Sequence, residues 1–244
     1  MPIAAYFIVT FAISWIGAAL IAATVGGLFM FPAMLLGPSC AGVIMTGVTY
    51  GGPGLRDLFA RMRRILIPAR WYTILLLPPV LIWFILLALG YAPNRFYVGV
   101  AFGVIAGFLE EIGWTGFAFP EMRRRMKPLP AAILLGVLWG CWHIPVINHL
   151  GAVTPHRNYW WPFFLAFTAA TTGLRILICW TYTHTRSIPL AQLLHASSTG
   201  SLVVFSPPAV SAGQEAFWYA LYAVGLWIAA GFVCTHLGRT TSES

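Results

Sequence analysis

Apolar residues run through this chain in long blocks separated by short polar or basic stretches. Eight of the blocks approach the ~20 residues that an α-helix needs to cross a hydrocarbon core of ~30 Å. They lie at about 3–25, 30–50, 71–90, 97–118, 130–148, 160–182, 188–206 and 215–237. The seventh is the shortest and stops at Pro207 and Pro208. There is no internal repeat and no low-complexity tract. The pattern predicts an all-α fold, a polytopic membrane helix bundle of about eight transmembrane helices filling one domain over 1–244. The opening MPIAAYF lacks the basic start of a cleavable signal, so the first block is expected to be a retained span.

Composition excludes the soluble alternative. Of 244 residues, 59% are hydrophobic and 8% are charged, with a mean hydropathy of +0.82, whereas a soluble domain carries roughly 25% charged residues. The basic excess, 14 Lys and Arg against 6 Asp and Glu, does not form the polar face that a nucleic-acid binder presents. It sits in clusters between the apolar blocks, as in cytoplasmic loops facing anionic headgroups. The expected partner is therefore the lipid bilayer and not nucleic acid.

The clusters also give an orientation. Arg56, Arg61, Arg63, Arg64 and Arg70 follow the second block, Arg123, Arg124, Arg125 and Lys127 the fourth, Arg186 the sixth and Arg239 the eighth. The alternate connections hold only Arg95 and Arg157. An even number of spans with both termini in the cytoplasm satisfies this asymmetry. Residues 54–67, with arginines between apolar positions at helical spacing, read as an interfacial amphipathic helix. Trp71, Trp160, Trp161 and Trp218, near span ends, read as interfacial belt residues. The outer connection at about 149–159, with His149, His156 and Arg157, is polar, and its spacing gives no metal-ligand signature. Cys40, Cys141, Cys179 and Cys234 are far apart inside apolar blocks and are expected to be buried free thiols.

An ionisable side chain at mid-bilayer costs at least ~2.5 kcal/mol, so such residues mark function. Five stand well inside the blocks: Glu110, Glu111, His143, Arg175 and His195. At a rise of ~1.5 Å per residue, Glu110, Arg175 and His195 each lie about 10 Å from the cytoplasmic ends of their spans. His143, counted from Pro130, lies about 20 Å in and joins that layer only if its span starts deeper or tilts. Glu110 and Glu111 point ~100° apart on a helix and need different roles. Glu110 shares its face with Gly103, Gly107 and Trp114, whose small members let another helix approach.

A carboxylate near two imidazoles binds a divalent metal or activates water as a general base, and either leads to hydrolysis. A proton or ion pathway and a structural polar cluster are the competing readings. No H-E-x-x-H, G-x-S-x-G or Walker motif is present.

At these residues the sequence resembles the CPBP family of intramembrane proteases, also called the CAAX protease and bacteriocin-processing (Abi) family. EEIGWTGF at 110–117 is similar to its E-E-x-x-x-R motif, WGCWH at 139–143 to its F-x-x-x-H, and HASST at 195–199 to its H-x-x-x-N. The likeness runs from about residue 38 to 206. It implies an eight-helix fold and an endopeptidase that hydrolyses a peptide bond of a membrane-associated protein or peptide. It further implies that Glu110 and His143 activate the attacking water, while His195 and Thr199 hold the carbonyl oxygen as it becomes negative. Glu110, His143 and His195 would equally serve as ligands of a divalent metal such as zinc, so no cofactor is fixed. A prokaryotic plasma membrane suits a chain of this size.

Three positions depart from the family pattern. Trp139 stands for Phe, Thr199 for Asn, and Thr115 for the Arg that would neutralise Glu111 from the next turn. The expected substitute is Arg175, a structural counter-ion reaching Glu111 from another span. A non-catalytic peptide-binding, immunity or scaffold protein of the same fold is the alternative to the protease.

Overall fold

The computed structural model describes residues 2–24 and 30–237, and among these there are helices and turns but no strand. Helix α1 spans Pro2–Thr24 and α2 Met30–Met62. A 3-10 turn, Ala69–Leu76, leads into α3, Leu77–Leu89. Helix α4, Val98–Gly113, passes through a π-helical turn, Trp114–Ala118, into the short α5, Phe119–Arg123. Then come α6, Pro128–Trp142, α7, Trp160–Thr185, α8, Ile188–Phe205, and α9, Ala212–Leu237. Seven of these stretches are long and apolar enough to cross a membrane. The stretch at Pro128–Trp142 is apolar but shorter, with 15 residues.

Local chemistry sets the ends. Pro128 and Pro189 sit in first turns, where a missing N–H costs nothing. The Ser187 hydroxyl caps α8 by accepting from the Leu190 amide at 3.1 Å. Gly90 closes α3 in the left-handed region, φ 68°. Gly51, at φ 61°, breaks α2, so its last third turns away from the membrane-crossing part. The amphipathic segment is therefore helical only to Met62, and it docks on the bundle: Leu58 is wholly buried. Arg61 donates to the Gly116 carbonyl at 3.0 Å and the Tyr182 hydroxyl at 2.6 Å.

Lipid is as apolar as a helix face, so helices in a membrane associate by close packing. Glycines make the two contacts that matter most here. A Cβ on Gly103 would stand 2.6 Å from the Ala196 carbonyl oxygen and the Gly200 nitrogen, so α4 and α8 touch backbone to backbone. A Cβ on Gly136 would stand 2.6 Å from the Thr172 Cα, and one on Gly140 2.6 Å from the Thr168 side-chain methyl, so α6 lies equally close to α7. Both contacts flank the ionisable residues.

The connections separate by charge. The basic segments at 56–70, 123–127 and 186 share one end, tied by Arg61 and by the Ser187 hydroxyl on the Arg64 carbonyl at 2.6 Å. Arg95 and Arg157 lie in connections at the other end, where the Phe96 amide reaches the Val204 carbonyl and Glu215 holds residues 152 and 153. Arg239 lies outside the described residues.

Several expectations need correction. Only Cys179 is buried; Cys40 is exposed on the lipid-facing side of its apolar helix, and Cys141 and Cys234 are intermediate. Trp218 is not a belt residue, being fully buried beside Tyr219. In the polar outer connection, His156 is fully buried, stacked 3.7 Å from the Phe163 ring and 3.4 Å from the Glu215 carboxylate.

Candidate active site

Four helices contribute the ionisable residues, and the glycine contacts fix their spacing. Glu110 and Glu111 end α4, Arg175 is in the middle of α7, His195 lies two turns into α8, and His143 caps the C-terminus of α6. Glu110, Glu111, Arg175 and His195 are at most 2% exposed.

Glu111 is saturated. Its Oε2 accepts from Arg175 Nη1 at 2.7 Å, and its Oε1 accepts from Arg175 Nη2 at 2.9 Å. This is the bidentate arrangement that a planar guanidinium favours. The Thr115 hydroxyl, one turn on, also donates to Oε2, and His195 Nδ1 donates to Oε1 at 2.8 Å. A carboxylate with four donors has no capacity left for a reacting proton. It instead fixes the His195 ring, with Nδ1 protonated and Nε2 toward Glu110 in the cavity.

Glu110 is different. Its Oε2 accepts from Trp139 Nε1 at 2.7 Å and Trp114 Nε1 at 3.2 Å. Its Oε1 has no hydrogen bond among the described residues and faces His195 Nε2 at 4.0 Å. The two tryptophans hold the side chain still and leave one oxygen for chemistry.

His143 occupies a higher position. Its Nδ1 bonds the Trp139 carbonyl at 2.8 Å, and since a carbonyl only accepts, the proton sits on Nδ1 and Nε2 carries a lone pair. Its ring packs on Phe167, two turns along α7 from Arg175. Trp139 contacts both imidazoles, His195 at 4.8 Å and His143 at 5.8 Å, and lies under the Arg175 guanidinium at 4.3 Å. Glu110, His143, His195 and Thr199 all line one cavity of about 330 Å³ with mainly apolar walls. Thr199 is half-buried one turn beyond His195.

The same positions bear on the choice of candidate ligands. Among the described residues, no group of three or more His, Cys, Asp and Glu side chains is arranged to hold a metal ion. His195 Nδ1 is bonded to Glu111, which leaves its Nε2, 4.0 Å from Glu110 Oε1, as the ring nitrogen that faces the cavity, and His143 stands closer to the cavity mouth.

Trp114 and Trp139 both donate to Glu110, a contact that sequence reasoning passed over. Trp139 reads only as an aromatic wall in the Phe position, yet its indole N–H is the shorter of the two bonds to Glu110. Its signal was the indole itself, since a buried Trp needs an acceptor. The π-helical turn at 114–118 has no sequence signal we can name, and such turns gather at functional sites.

A buried carboxylate with one free oxygen beside an imidazole, in an apolar chamber within a helical bundle, is an arrangement that general-base hydrolysis can use. Two comparisons show what the chain is similar to. Residues 82–200 match the family described as type II CAAX prenyl endopeptidase Rce1-like, a stretch that contains all the site residues above. Over 218 residues the chain is 27% identical to CAAX prenyl protease 2 of the archaeon Methanococcus maripaludis, covering 78% of this chain and 80% of that protein. The chain is thus similar to the Rce1-like CAAX proteases in the stretch that holds its three ordered motifs, and its long apolar helices are those of an integral membrane protein.

Proposed function

We propose that this protein is an endopeptidase that cleaves a membrane-associated protein or peptide with water activated at Glu110. The observation that carries the proposal is the division of labour between adjacent glutamates: Glu111 is fully hydrogen-bonded, whereas Glu110 keeps Oε1 free at the base of the cavity.

The steps follow from the donors and acceptors. A water on Glu110 Oε1 also donates to the lone pair of His143 Nε2, which aims its oxygen at the scissile carbonyl carbon. Glu110 takes the water proton as the C–O bond forms, and the carbonyl electron pair moves onto oxygen. The Thr199 hydroxyl and His195 Nε2, when protonated, donate to that oxyanion, and apolar walls make such bonds stronger than in bulk water. Glu110 then returns its proton to the leaving amine as the C–N bond breaks. Glu111, Thr115 and Arg175 are positioning residues that keep the His195 ring in place.

The test is cleavage of membrane-anchored peptides by the purified protein in lipid, beside Glu110→Gln, with and without a chelator. Glu110→Gln keeps an acceptor for both indoles and loses the base. Cleavage by the parent protein, a loss of at least ~10³-fold in the variant, and no response to the chelator are expected. Retained cleavage in Glu110→Gln removes the base assignment, and loss of the parent activity on chelation replaces it with metal-assisted hydrolysis.

A further inference from the structure

The cavity wall carries two hydroxyls that the proposed hydrolysis leaves unused. Ser198 of α8 and Tyr222 of α9 both line it, and at 2% and 1% exposure they are as enclosed as Glu110 and His195. Their oxygens lie 2.8 Å apart in a hydrogen bond that joins the two helices. Two hydroxyls bring two protons, and this bond uses one. No second acceptor for either hydroxyl is present among the described residues. Thr171, also on the wall, is already committed to the Thr168 carbonyl at 3.0 Å, and no Lys or Arg among the described residues takes part in the lining.

The order of donation follows from acidity. A phenol is a stronger acid than an alkyl hydroxyl and makes the better donor, so Tyr222 gives its proton to Ser198 Oγ and Ser198 keeps its own for the cavity. A hydroxyl that already accepts a bond is polarised and donates more strongly. Between apolar walls such a spare donor is costly until an acceptor arrives. Position names the acceptor. Ser198 follows His195 by three residues, so the two side chains share a face of α8 with Cβ atoms roughly 5–6 Å apart. An extended peptide advances about 3.3–3.6 Å per residue, and its regularly spaced acceptors are backbone carbonyls. A strand with its scissile carbonyl at His195 and Thr199 brings another carbonyl to Ser198 within two residues.

We propose that Ser198, oriented and polarised by Tyr222, binds the substrate by donating to a backbone carbonyl within two residues of the scissile bond. The assignment rests on the proposed peptidase reading for the scissile bond, and on the hydroxyl pair for the donor. The contact reads main chain and not side chain. It therefore selects an extended segment over a helical one, whose carbonyls are already bonded within the helix.

The test removes the carbonyl and the hydroxyl in turn. The parent protein and Ser198→Ala, each purified in lipid, receive the best-cleaved member of a membrane-anchored peptide library. They also receive four analogues of it, in each of which one of the two peptide bonds on either side of the scissile bond is a trans alkene with no carbonyl. Ser198→Ala is expected to lower kcat/KM on the unmodified peptide about tenfold, and Tyr222→Phe, which leaves the serine without its donor, by less. One analogue is expected to lower the rate of the parent by the same factor and that of Ser198→Ala no further. Unchanged cleavage by Ser198→Ala, or an equal loss in parent and variant for all four analogues, overturns the assignment, since a merely structural serine affects every substrate alike. An alkene scan of the tightest-bound fluorescent peptide is also read by equilibrium binding in a Glu110→Gln background, with and without Ser198→Ala. An analogue whose loss of binding disappears with Ser198→Ala, in a protein whose parent cleaves nothing, refutes the peptidase reading and keeps the peptide contact. No analogue of that kind, or no peptide bound, overturns the contact itself.

Discussion

Arg175 of α7 grips both carboxylate oxygens of Glu111 on α4, at 2.7 and 2.9 Å, across 64 residues of sequence. Thr115 stands where the resemblance places an Arg one turn from that glutamate, and it hydrogen-bonds the same carboxylate. The charge pair thus joins two helices instead of closing within one, and it also determines which way His195 faces. A fully buried pair of this kind is costly to break on one side only, because the survivor is left uncompensated.

Arg175→Met is therefore expected to destabilise the protein by about 3–5 kcal/mol and to abolish cleavage. Thr115→Arg in the same chain returns a guanidinium to Glu111 and should recover part of that loss. Thermal unfolding in detergent, measured on both single variants and the pair as a double-mutant cycle, gives the coupling. Additive losses would show that Glu111 does not take its cation from Arg175.

Trp139→Phe keeps the aromatic wall and deletes the 2.7 Å bond to Glu110. A hydrogen bond to a charged group contributes about 1.5–3 kcal/mol. The expected outcome is a kcat lower by about 10- to 100-fold, with KM little changed, since the indole positions the base. A rise in KM alone would mean that Trp139 binds substrate and does not orient Glu110.

Gly107→Ala puts a Cβ 2.9 Å from the Ala196 nitrogen and closer still to the Gln192 carbonyl, so α4 and α8 must part. A cost of about 1–3 kcal/mol is expected, with cleavage reduced further because the 4.0 Å gap between Glu110 and His195 widens. Gly231→Ala is the control: nothing lies within 4 Å of a Cβ there, and both stability and cleavage should be unaffected or slightly improved.

Thr199→Val removes a hydroxyl from the cavity wall at nearly constant volume. Loss of one oxyanion donor lowers kcat by about 10²–10³-fold, and Thr199→Asn, which restores an N–H donor, should recover activity. Equal rates for Val and Thr in a single-turnover assay would remove Thr199 from the mechanism.

The bundle was legible because span length and apolarity are properties of local sequence. The charge layer was legible because an ionisable residue in a membrane-crossing run is rarely incidental. What sequence missed was the irregular backbone. The depth assigned to His143 assumed one continuous span over 130–148, whereas α6 stops at Trp142 and a 3-10 turn, Ile144–His149, follows. His143 therefore caps a helix instead of lining its middle, and it reaches the cavity from above the Glu111 layer. The indole donors escaped notice for a related reason. Hydrogen bonding by Trp114 and Trp139 depends on where two rings point, and periodicity fixes a helix face but not a side-chain rotamer.

Helix α6 has a consequence for the lipid around it. Its 15 residues rise about 22 Å, short of a hydrocarbon core of ~30 Å, and Leu134 and Val137 on its outer side are 43% and 40% exposed. Where that side meets lipid, a mismatch of this size favours shorter acyl chains, at a cost of fractions of a kcal/mol per ångström. A locally thinner bilayer brings bulk water nearer to His143 at the helix end. On the proposed peptidase reading, the rate of cleavage is then expected to follow the acyl-chain length of the surrounding membrane.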